Sequence, residues 1–253
     1  MARFTQSIKG VWIILKTLPG FILRQTPYRN ADAILDVLTP EGFFTIQARG
    51  ILKLTSTMQA MASLGSWATL TFSMTRNKHY LEKAELIRFA PLPDQDGLIP
   101  TIMLQVGLQI LLLDETKTNA PQLYQLLVNL REANTAYPWH WLSFLKAILT
   151  LQGVPIVVDY CVECQNKTSI VGVSARLGGF ICQDCLKHTT ATALPAKTLK
   201  ALRQLYKQPE ELKLNQEEVI ELVPLVQDHF EHHLDLHIEG FKTIKQLFKK
   251  IHL

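Results

Sequence analysis

Four cysteines in two closely spaced pairs are the residues of this sequence whose spacing most clearly indicates chemistry. The pairs are Cys161 with Cys164 and Cys182 with Cys185, and residues 165–181 separate them. A Cys-x-x-Cys turn presents two thiolates to one metal ion, and two such turns complete the tetrahedral sulfur coordination of zinc. The sequence therefore predicts one bound zinc ion. Because sulfur fills all four positions and leaves none for water, we expect a structural ion rather than a catalytic one.

Two disulfides or four unbound thiols are the alternatives to a metal site. A cytoplasmic chain seldom keeps disulfides, and unbound cysteines do not cluster at this spacing, so zinc is favoured. Gly178-Gly179 stands just before the second pair and predicts a tight turn. With that turn, the intervening segment can double back as a hairpin.

Three histidines form a second candidate site, at four-residue intervals on a predicted helix. They are His229, His233 and His237. Two histidines one turn apart can bind a metal, which leaves a metal-dependent hydrolase as an alternative function. The His-Glu-x-x-His order of such enzymes is missing, and Phe230 and Leu234 give the helix an apolar side. A structural role for these histidines is therefore favoured.

The common local motifs of catalysis are missing from the sequence. It contains no phosphate-binding loop, no dinucleotide fingerprint and no serine nucleophile motif. Because catalytic triads need not be local in sequence, this absence shifts the weight toward binding without deciding it. We predict a binding protein that has no catalytic residues.

Positive charge is concentrated in the first third of the chain. Residues 1–83 contain ten Lys or Arg and four Asp or Glu, a net charge of +6, whereas residues 84–253 have a net charge of −2. Such asymmetry indicates a polyanionic partner for the basic part, either nucleic acid or a membrane surface. The most apolar stretch, residues 98–113, contains polar residues and is too short to span a membrane. We therefore expect a cytoplasmic protein.

Six basic residues on or beside predicted strands are the candidate DNA contacts. They are Arg24, Arg29, Arg49, Lys53, Arg76 and Lys78. Aromatic residues are interleaved with them, namely Phe21, Tyr28, Phe43, Phe44, Trp67 and Phe72. Basic side chains can follow phosphates while aromatic rings stack on bases, as in single-strand binding proteins. For each single ring, burial in a barrel core is the favoured alternative.

The elements that must position these residues begin with a β-barrel. The predicted strands are Gly20–Thr26, Ala33–Leu38, Phe43–Ala48, Trp67–Met74 and Leu81–Phe89. Between the third and fourth strands, Ser56–Leu64 has helical spacing of its apolar residues. Three strands, a helix and two strands is the order of an OB-fold, a barrel that carries oligonucleotides on one face.

Helical periodicity replaces strand patterning after Pro91. The last predicted helical stretch is Gln216–Ile251, with breaks or bends at Pro224 and Gly240. The predicted fold class is multidomain α+β, with an N-terminal OB-fold β-barrel followed by an α-helical domain that contains an inserted four-cysteine zinc module. The predicted boundaries are 1–90 for the barrel (1–19 being an N-terminal extension), 91–157 and 189–253 for the helical domain, and 158–188 for the zinc module.

Several short segments, in this order, resemble the RecO family of bacterial DNA repair and recombination mediators. The N-terminal segments are Gly20-Phe-Ile-Leu-Arg24, Pro27-Tyr28, Asp32-Ala-Ile-Leu and Ala48-Arg49-Gly50 followed by Lys53. The two cysteine pairs come next, and His232-His233-Leu234 then leads into a basic segment from Lys242 to Lys250. The resemblance covers residues 20–253.

The resemblance implies a DNA repair mediator rather than an enzyme. Members of the family bind single- and double-stranded DNA and anneal complementary strands. They also bind RecR and the C-terminal tail of single-stranded-DNA-binding protein, and they help to place RecA on coated strands. A pocket for that tail needs a cation beside an apolar slot, and the candidate cations are Arg131, Lys242 and Lys245. A zinc-ribbon nucleic-acid-binding adaptor that contains an OB barrel is the alternative.

Overall fold

Two compact units make up the chain, residues 1–131 and residues 132–253. The computed structural model describes residues 3–8, 11–75, 78–92, 97–113, 119–133, 137–208, 214–236 and 238–251. The first unit contains the barrel and two helices, and the second contains the cysteines and the remaining helices. The finer division proposed from the sequence, with boundaries at residues 90, 157 and 188, stays a prediction.

Six strands form the sheet of the first unit. They are β1 (Arg3–Ile8), β2 (Val11–Tyr28), β3 (Asp32–Thr39), β4 (Gly42–Ala48), β5 (Trp67–Met74) and β6 (His79–Arg88). Antiparallel pairs join β2 to β3, β3 to β4 and β5 to β6, whereas β4 and β6 run parallel. The sheet closes because β2 also pairs with β5, from Ile14 opposite Met74 to Phe21 opposite Trp67. The five strands β2 to β6 thus form the predicted OB-like barrel.

Strand β2 begins well before the predicted start at Gly20, and β1 lies beside its first part. Arg3 is opposite Leu15, and Ile8 is opposite Val11. Gly20 is an internal position of β2 rather than its beginning. Glycine suits this position because neighbouring strands approach closely there. A Cβ atom on Gly20 would lie 2.7 Å from Cγ1 of Val37.

Alternating apolar residues fill the barrel, as expected for strands with one buried face. On β3 the side chains of Ala33, Leu35 and Val37 are buried. The connection from β4 to β5 contains only a short 3-10 turn, Ala60–Ala62, and not the helix predicted at Ser56–Leu64. The periodic methionines of that segment pack against the barrel core from a turn-rich loop. The helical spacing of these methionines therefore reflects their packing against the core and not a helix.

Two helices, α1 (Leu98–Leu113) and α2 (Ala120–Glu132), complete the first unit. Pro100 lies in the first turn of α1, where a missing N–H breaks no helical hydrogen bond. An aromatic contact joins α2 to the barrel: Nε1 of Trp67 donates to Oη of Tyr124 at 2.9 Å. Phe21 stacks on Trp67 with 5.3 Å between ring centroids. The first two helices therefore belong to the packed body of the barrel unit.

The second unit combines four longer helices with a small three-stranded sheet. The elements are α3 (Tyr137–Leu151), β7 (Ile170–Ser174), β8 (Gly179–Cys182), α4 (Gln183–Leu186), β9 (Thr192–Ala193), α5 (Ala196–Lys207), α6 (Gln216–Leu234) and α7 (Glu239–Ile251). Asn215 begins α6 with a capping box, in which its side chain accepts from the Glu218 N–H at 2.9 Å.

The helices are not broken at Pro224 or at Gly240, where the sequence predicts breaks or bends. Helix α6 continues through Pro224, and Gly240 lies in the first turn of α7. The chain leaves α6 at Asp235, which adopts a left-handed conformation with φ of 50°. An Asp with positive φ ends the helix here, which is a role usually given to Gly or Asn.

Among the described residues, no helix combines the length and the apolar character that a membrane crossing requires. The very apolar α1 has 16 residues, and a membrane span needs about 20.

Candidate metal centre and nucleic-acid interface

The four cysteines come together as the sequence predicts. One Sγ atom from each of Cys161, Cys164, Cys182 and Cys185 lies within 4.8 Å of all the others. The Sγ atoms of Cys164 and Cys182 are 3.6 Å apart, and all four cysteines are free of disulfides. A disulfide requires about 2.05 Å between its sulfur atoms. Four thiolates at about 2.3 Å from a zinc ion would be about 3.8 Å apart, so the cluster fits a tetrahedral metal site.

Backbone hydrogen bonds prepare Cys161, the first cysteine of the first pair, for metal binding. Burial raises the pKa of the Cys161 thiol, but the N–H groups of Cys164, Cys182 and Glu163 donate to its sulfur and bring the net pKa down to about 6. The loop is tight, since the Gln165 N–H donates to the Cys161 carbonyl at 2.7 Å and Gln165 itself has φ of 62°. Thiolate is the form that binds metal, so this loop favours the ligand state.

The hairpin predicted from the two glycines is confirmed. Strands β7 and β8 pair with Ser174 opposite Gly179, and the Gly178 N–H donates to the Ser174 carbonyl. Gly178 has φ of 87°, which a residue with a side chain rarely adopts. At Gly179, a Cβ atom would lie 2.5 Å from the Val157 carbonyl oxygen, so glycine is required for close packing.

His229 and His233 face the turn of this hairpin from helix α6. Nε2 of His229 contacts the Val154 carbonyl at 2.8 Å, and Nε2 of His233 contacts the Ala175 carbonyl at 2.9 Å. Since a carbonyl can only accept, each Nε2 carries a proton and donates. The two rings stand 4.3 Å apart, and burial lowers the pKa of His229. The two histidines therefore hold the backbone at Val154 and Ala175 in position. The third predicted histidine, His237, lies outside the described residues.

At one end of the barrel, Asp32 holds a turn that carries basic residues. Its carboxylate accepts from the Gly50 N–H at 2.8 Å and from Nε2 of Gln47 at 3.3 Å. The Gly50 hydrogen bond, helped by Gln47 and by the positive charges of Arg29 and Arg49, lowers the pKa of Asp32. Asp32 thereby fixes the turn between β4 and the loop that follows it.

Arginine and tyrosine side chains are paired at this barrel end. The Arg29 guanidinium lies 5.1 Å from the Tyr28 ring centroid, and the Arg49 guanidinium lies 4.3 Å from that of Tyr80. Lys53 lies close to Gly50, since its Cε would be 3.5 Å from a Cβ placed there. We call Tyr28, Arg29, Arg49, Lys53 and Tyr80 the basic barrel end. Tyr80 was missed from the sequence, because only the parallel register of Gln47 beside Tyr80 brings it to Arg49.

The other predicted DNA contacts have different surroundings. Arg24 makes an ion pair with Asp36, whose Oδ2 is 2.7 Å from both Nε and Nη2 of the arginine. Lys78 is exposed in the loop between β5 and β6, and Arg76 lies outside the described residues. Among the predicted aromatic partners, Phe21 and Phe72 are fully buried and belong to the core.

The three predicted cations for a partner tail also differ from one another. Arg131 is buried, and its Nη2 donates to the Phe89 carbonyl at 3.0 Å. Lys245 of α7 lies between two carboxylates of α6, at 2.5 Å from Asp228 and 2.6 Å from Glu231. Lys242 is exposed to solvent.

Two family models match the chain. The model described as Recombination protein O N terminal matches residues 14–90, and the model described as Recombination protein O C terminal matches residues 111–239. The first match covers the closed barrel, and the second covers the cysteine pairs and most of the helices. The N-terminal match precedes the C-terminal match along the chain, as the resemblance predicted.

Curated relatives agree with the family models. The chain is 24% identical over 238 residues to the DNA repair protein RecO of Halalkalibacterium halodurans, covering 90% of this chain and 93% of that protein. It is 22% identical over 249 residues to the DNA repair protein RecO of Bacillus subtilis strain 168, covering 95% and 98%. For DNA repair protein RecO of Listeria monocytogenes serotype 4b, the identity is 28% over 192 residues, covering 74% and 75%.

The OB-like barrel lies within the match to the N-terminal model, and the four-cysteine cluster lies within the match to the C-terminal model. The chain belongs to the RecO family.

Proposed function

We propose that this chain binds single- and double-stranded DNA through the basic barrel end and anneals complementary strands. The observation that carries the proposal is the set of arginine–tyrosine pairs held by the Asp32 turn. Guanidinium groups can contact phosphates there while the adjacent tyrosine rings offer stacking surfaces for bases. The site is built from strand ends and loops of one barrel end, where OB-folds commonly bind oligonucleotides.

Annealing needs no catalytic group, and we assign none to this chain. Two complementary strands repel each other through their phosphates, and cations that neutralise those phosphates lower the repulsion. The contacts of His229 and His233 argue for a structural role rather than a hydrolase, because Nε2 of each ring is engaged with a backbone carbonyl. Family membership favours a recombination mediator over the alternative function, a zinc-ribbon adaptor.

The cysteine cluster, in this proposal, holds one structural zinc ion. Zinc with four sulfur ligands has no open position for water, so it would serve folding rather than chemistry. Cys161, Cys164, Cys182 and Cys185 join the first loop of the module to the β7–β8 hairpin and to α4. The zinc would thus stabilise the second unit.

Family membership supports a proposal about the partners. We propose that the chain acts with RecR to help load RecA onto strands coated by single-stranded-DNA-binding protein, in the cytoplasm and at the nucleoid. For the tail of that coating protein, exposed Lys242 is the best placed of the three predicted cations. Arg131 and Lys245 are already engaged by groups of this chain, which argues against a free carboxylate-binding role for either.

Annealing of two complementary oligonucleotides, one with a fluorophore and the other with a quencher, tests the proposal. The protein should accelerate annealing without any nucleotide cofactor. Replacing Arg29 and Arg49 with alanine should slow the accelerated reaction about tenfold or more, because two phosphate contacts are lost. Lys83→Ala is the control, since it removes a cation that is paired with Glu85 on β6, away from the basic barrel end. Equal effects of both variants, or no acceleration by the wild type, would overturn the proposal.

A further inference from the structure

A groove of about 320 Å3 lies between strand β2 and helix α1 of the first unit. Its apolar wall is formed by leucines of both elements and of the loop between β4 and β5. Its polar wall is formed by Arg24 and Gln25 of β2 and by Gln105 and Gln109 of α1. The two α1 glutamines are exposed and stand one helical turn apart. The groove therefore has one apolar wall of leucines and one wall that carries side-chain amides.

A bulge in β2 creates the apolar wall. The register between β2 and β3 shifts between Ile22 and Arg24, which makes Leu23 the extra residue. Phe21, Ile22 and Leu23 are all buried, although neighbours on a regular strand point to opposite faces. Bulges commonly re-aim a side chain, and this one places Leu23 against α1 at the groove.

A smaller cavity of about 90 Å3 adjoins the groove. The two cavities share Leu23, Arg24 and Leu112, and the smaller one reaches Phe43 and Phe44 on β4. Together they cross β2, β3 and β4. This is the face on which OB-folds carry oligonucleotides, and α1 forms its outer wall.

The geometry points to an unstacked base of single-stranded DNA as the occupant of this groove. The flat face of a base fits the leucine wall, while the Gln105 and Gln109 amides can donate to and accept from its polar edge. Arg24 lines both cavities, and although it is paired with Asp36 its side chain remains 61% exposed, so it can still contact the sugar-phosphate chain. This inference rests on the proposed DNA-binding function and adds α1 to the DNA path.

The position of the groove favours a base over an acidic peptide. Strand β2 connects the groove directly to the basic barrel end, because Tyr28 follows Arg24 by four residues, about 13 Å along a strand. One DNA strand can therefore contact both sites.

Binding of three DNA probes tests the groove. Changing Gln105 and Gln109 together to leucine keeps the size of the side chains and removes both amides. Affinity for a mixed-sequence single strand should fall about tenfold, since two hydrogen bonds to the base are lost. Affinity for an abasic strand should stay unchanged, and so should affinity for a blunt duplex, whose bases are stacked. Gln125→Leu makes the same change on an exposed face of α2 and should alter none of the three affinities.

A charge variant checks the result with a second, independent change. Gln109→Glu introduces a carboxylate at the groove and should weaken single-strand binding at least fivefold more than Gln125→Glu, which adds the same charge on α2. Circular dichroism and metal content show that each variant is folded.

The outcomes separate this inference from the proposed function. If the wild type binds no single-stranded DNA, the proposed function itself fails. If Arg29→Ala with Arg49→Ala weakens single-strand binding but the glutamine variants do not, only the groove assignment fails. If the glutamine variants lose an acidic, apolar tail peptide while keeping their DNA affinities, the groove is a protein docking site and the inference is overturned.

Discussion

The cysteine module and the basic barrel end show two different ways in which a sequence encodes a site. The module takes its four cysteines from two short Cys-x-x-Cys segments, of which the first forms a turn and the second begins helix α4. The basic barrel end takes five side chains from four places in the chain, and none of them defines a motif alone. A candidate four-cysteine metal site can therefore be recognised from the sequence alone. A binding surface cannot, because strand register decides which side chains come together.

The largest expected effect concerns the module. Cys182→Ser should abolish tight metal binding, reduce the metal content from about one zinc per chain to near zero, and lower the free energy of unfolding by more than about 4 kcal/mol. The reason is that metal-binding energy in such modules is also folding energy. Glu163→Ser, an exposed change inside the first cysteine pair, is the control. Metal analysis with urea unfolding measures both quantities, and an unchanged metal content in Cys182→Ser would contradict the four-thiolate site.

The second effect concerns the basic barrel end. With four to six phosphates neutralised, log K for a single strand should fall against log salt with a slope of roughly −3 to −4. Arg49→Ala with Lys53→Ala should flatten that slope by about one unit or more, because two phosphate contacts are lost. Fluorescence anisotropy over a salt series measures the slope, with Lys83→Ala as the control. A slope that does not change would place the DNA on another surface.

The third effect is the pH dependence of stability that His229 produces. Burial lowers the pKa of His229 in the folded chain, so the unfolded chain binds more protons in mildly acidic solution. The stabilisation is complete above the ordinary histidine pKa of about 6.5 and is lost as pH falls from there through the lower folded pKa. One proton limits the loss to about 1.4 kcal/mol per pH unit.

His229→Gln should remove this part of the pH dependence, because glutamine keeps a donor for the Val154 carbonyl and does not titrate. Urea unfolding of both chains at about pH 7.5 and pH 5.5 measures the difference. The exposed His188→Gln is the control and should retain the wild-type dependence. A His229→Gln chain with wild-type pH dependence would show that the buried ring does not titrate with folding.

The smallest effect concerns Arg24, whose charge Asp36 partly neutralises. Asp36→Asn should free the guanidinium and raise single-strand affinity about two- to threefold, within the range of an exposed ion pair. Glu41→Gln removes the same charge from the pair that Glu41 makes with Lys16 and corrects for net charge. If both variants raise affinity equally, Arg24 has no special place in the DNA path.

Much of the fold was predictable because its signals are local. Alternating apolar residues and the turns between them located all five barrel strands, although β2 starts earlier than predicted and β1 was not foreseen. Gly178-Gly179 predicted the hairpin of the module, because a positive φ and a close backbone approach both require glycine there. The segment 56–64 shows the limit, since its methionines have helical spacing but pack from a loop.

The sequence alone predicted the barrel order, the family and the four-cysteine cluster, because strand patterns and Cys-x-x-Cys pairs are local signals whose order along the chain is read directly. Which charges remain available to a ligand depends on the tertiary structure. Arg131 and Lys245 stand beside apolar stripes in the sequence, yet Arg131 is buried and Lys245 is paired with two carboxylates of another helix. Tyr80 lies beside Arg49 only because β4 and β6 pair in parallel. Availability of a side chain depends on what distant segments place around it, and no local pattern in the chain records that.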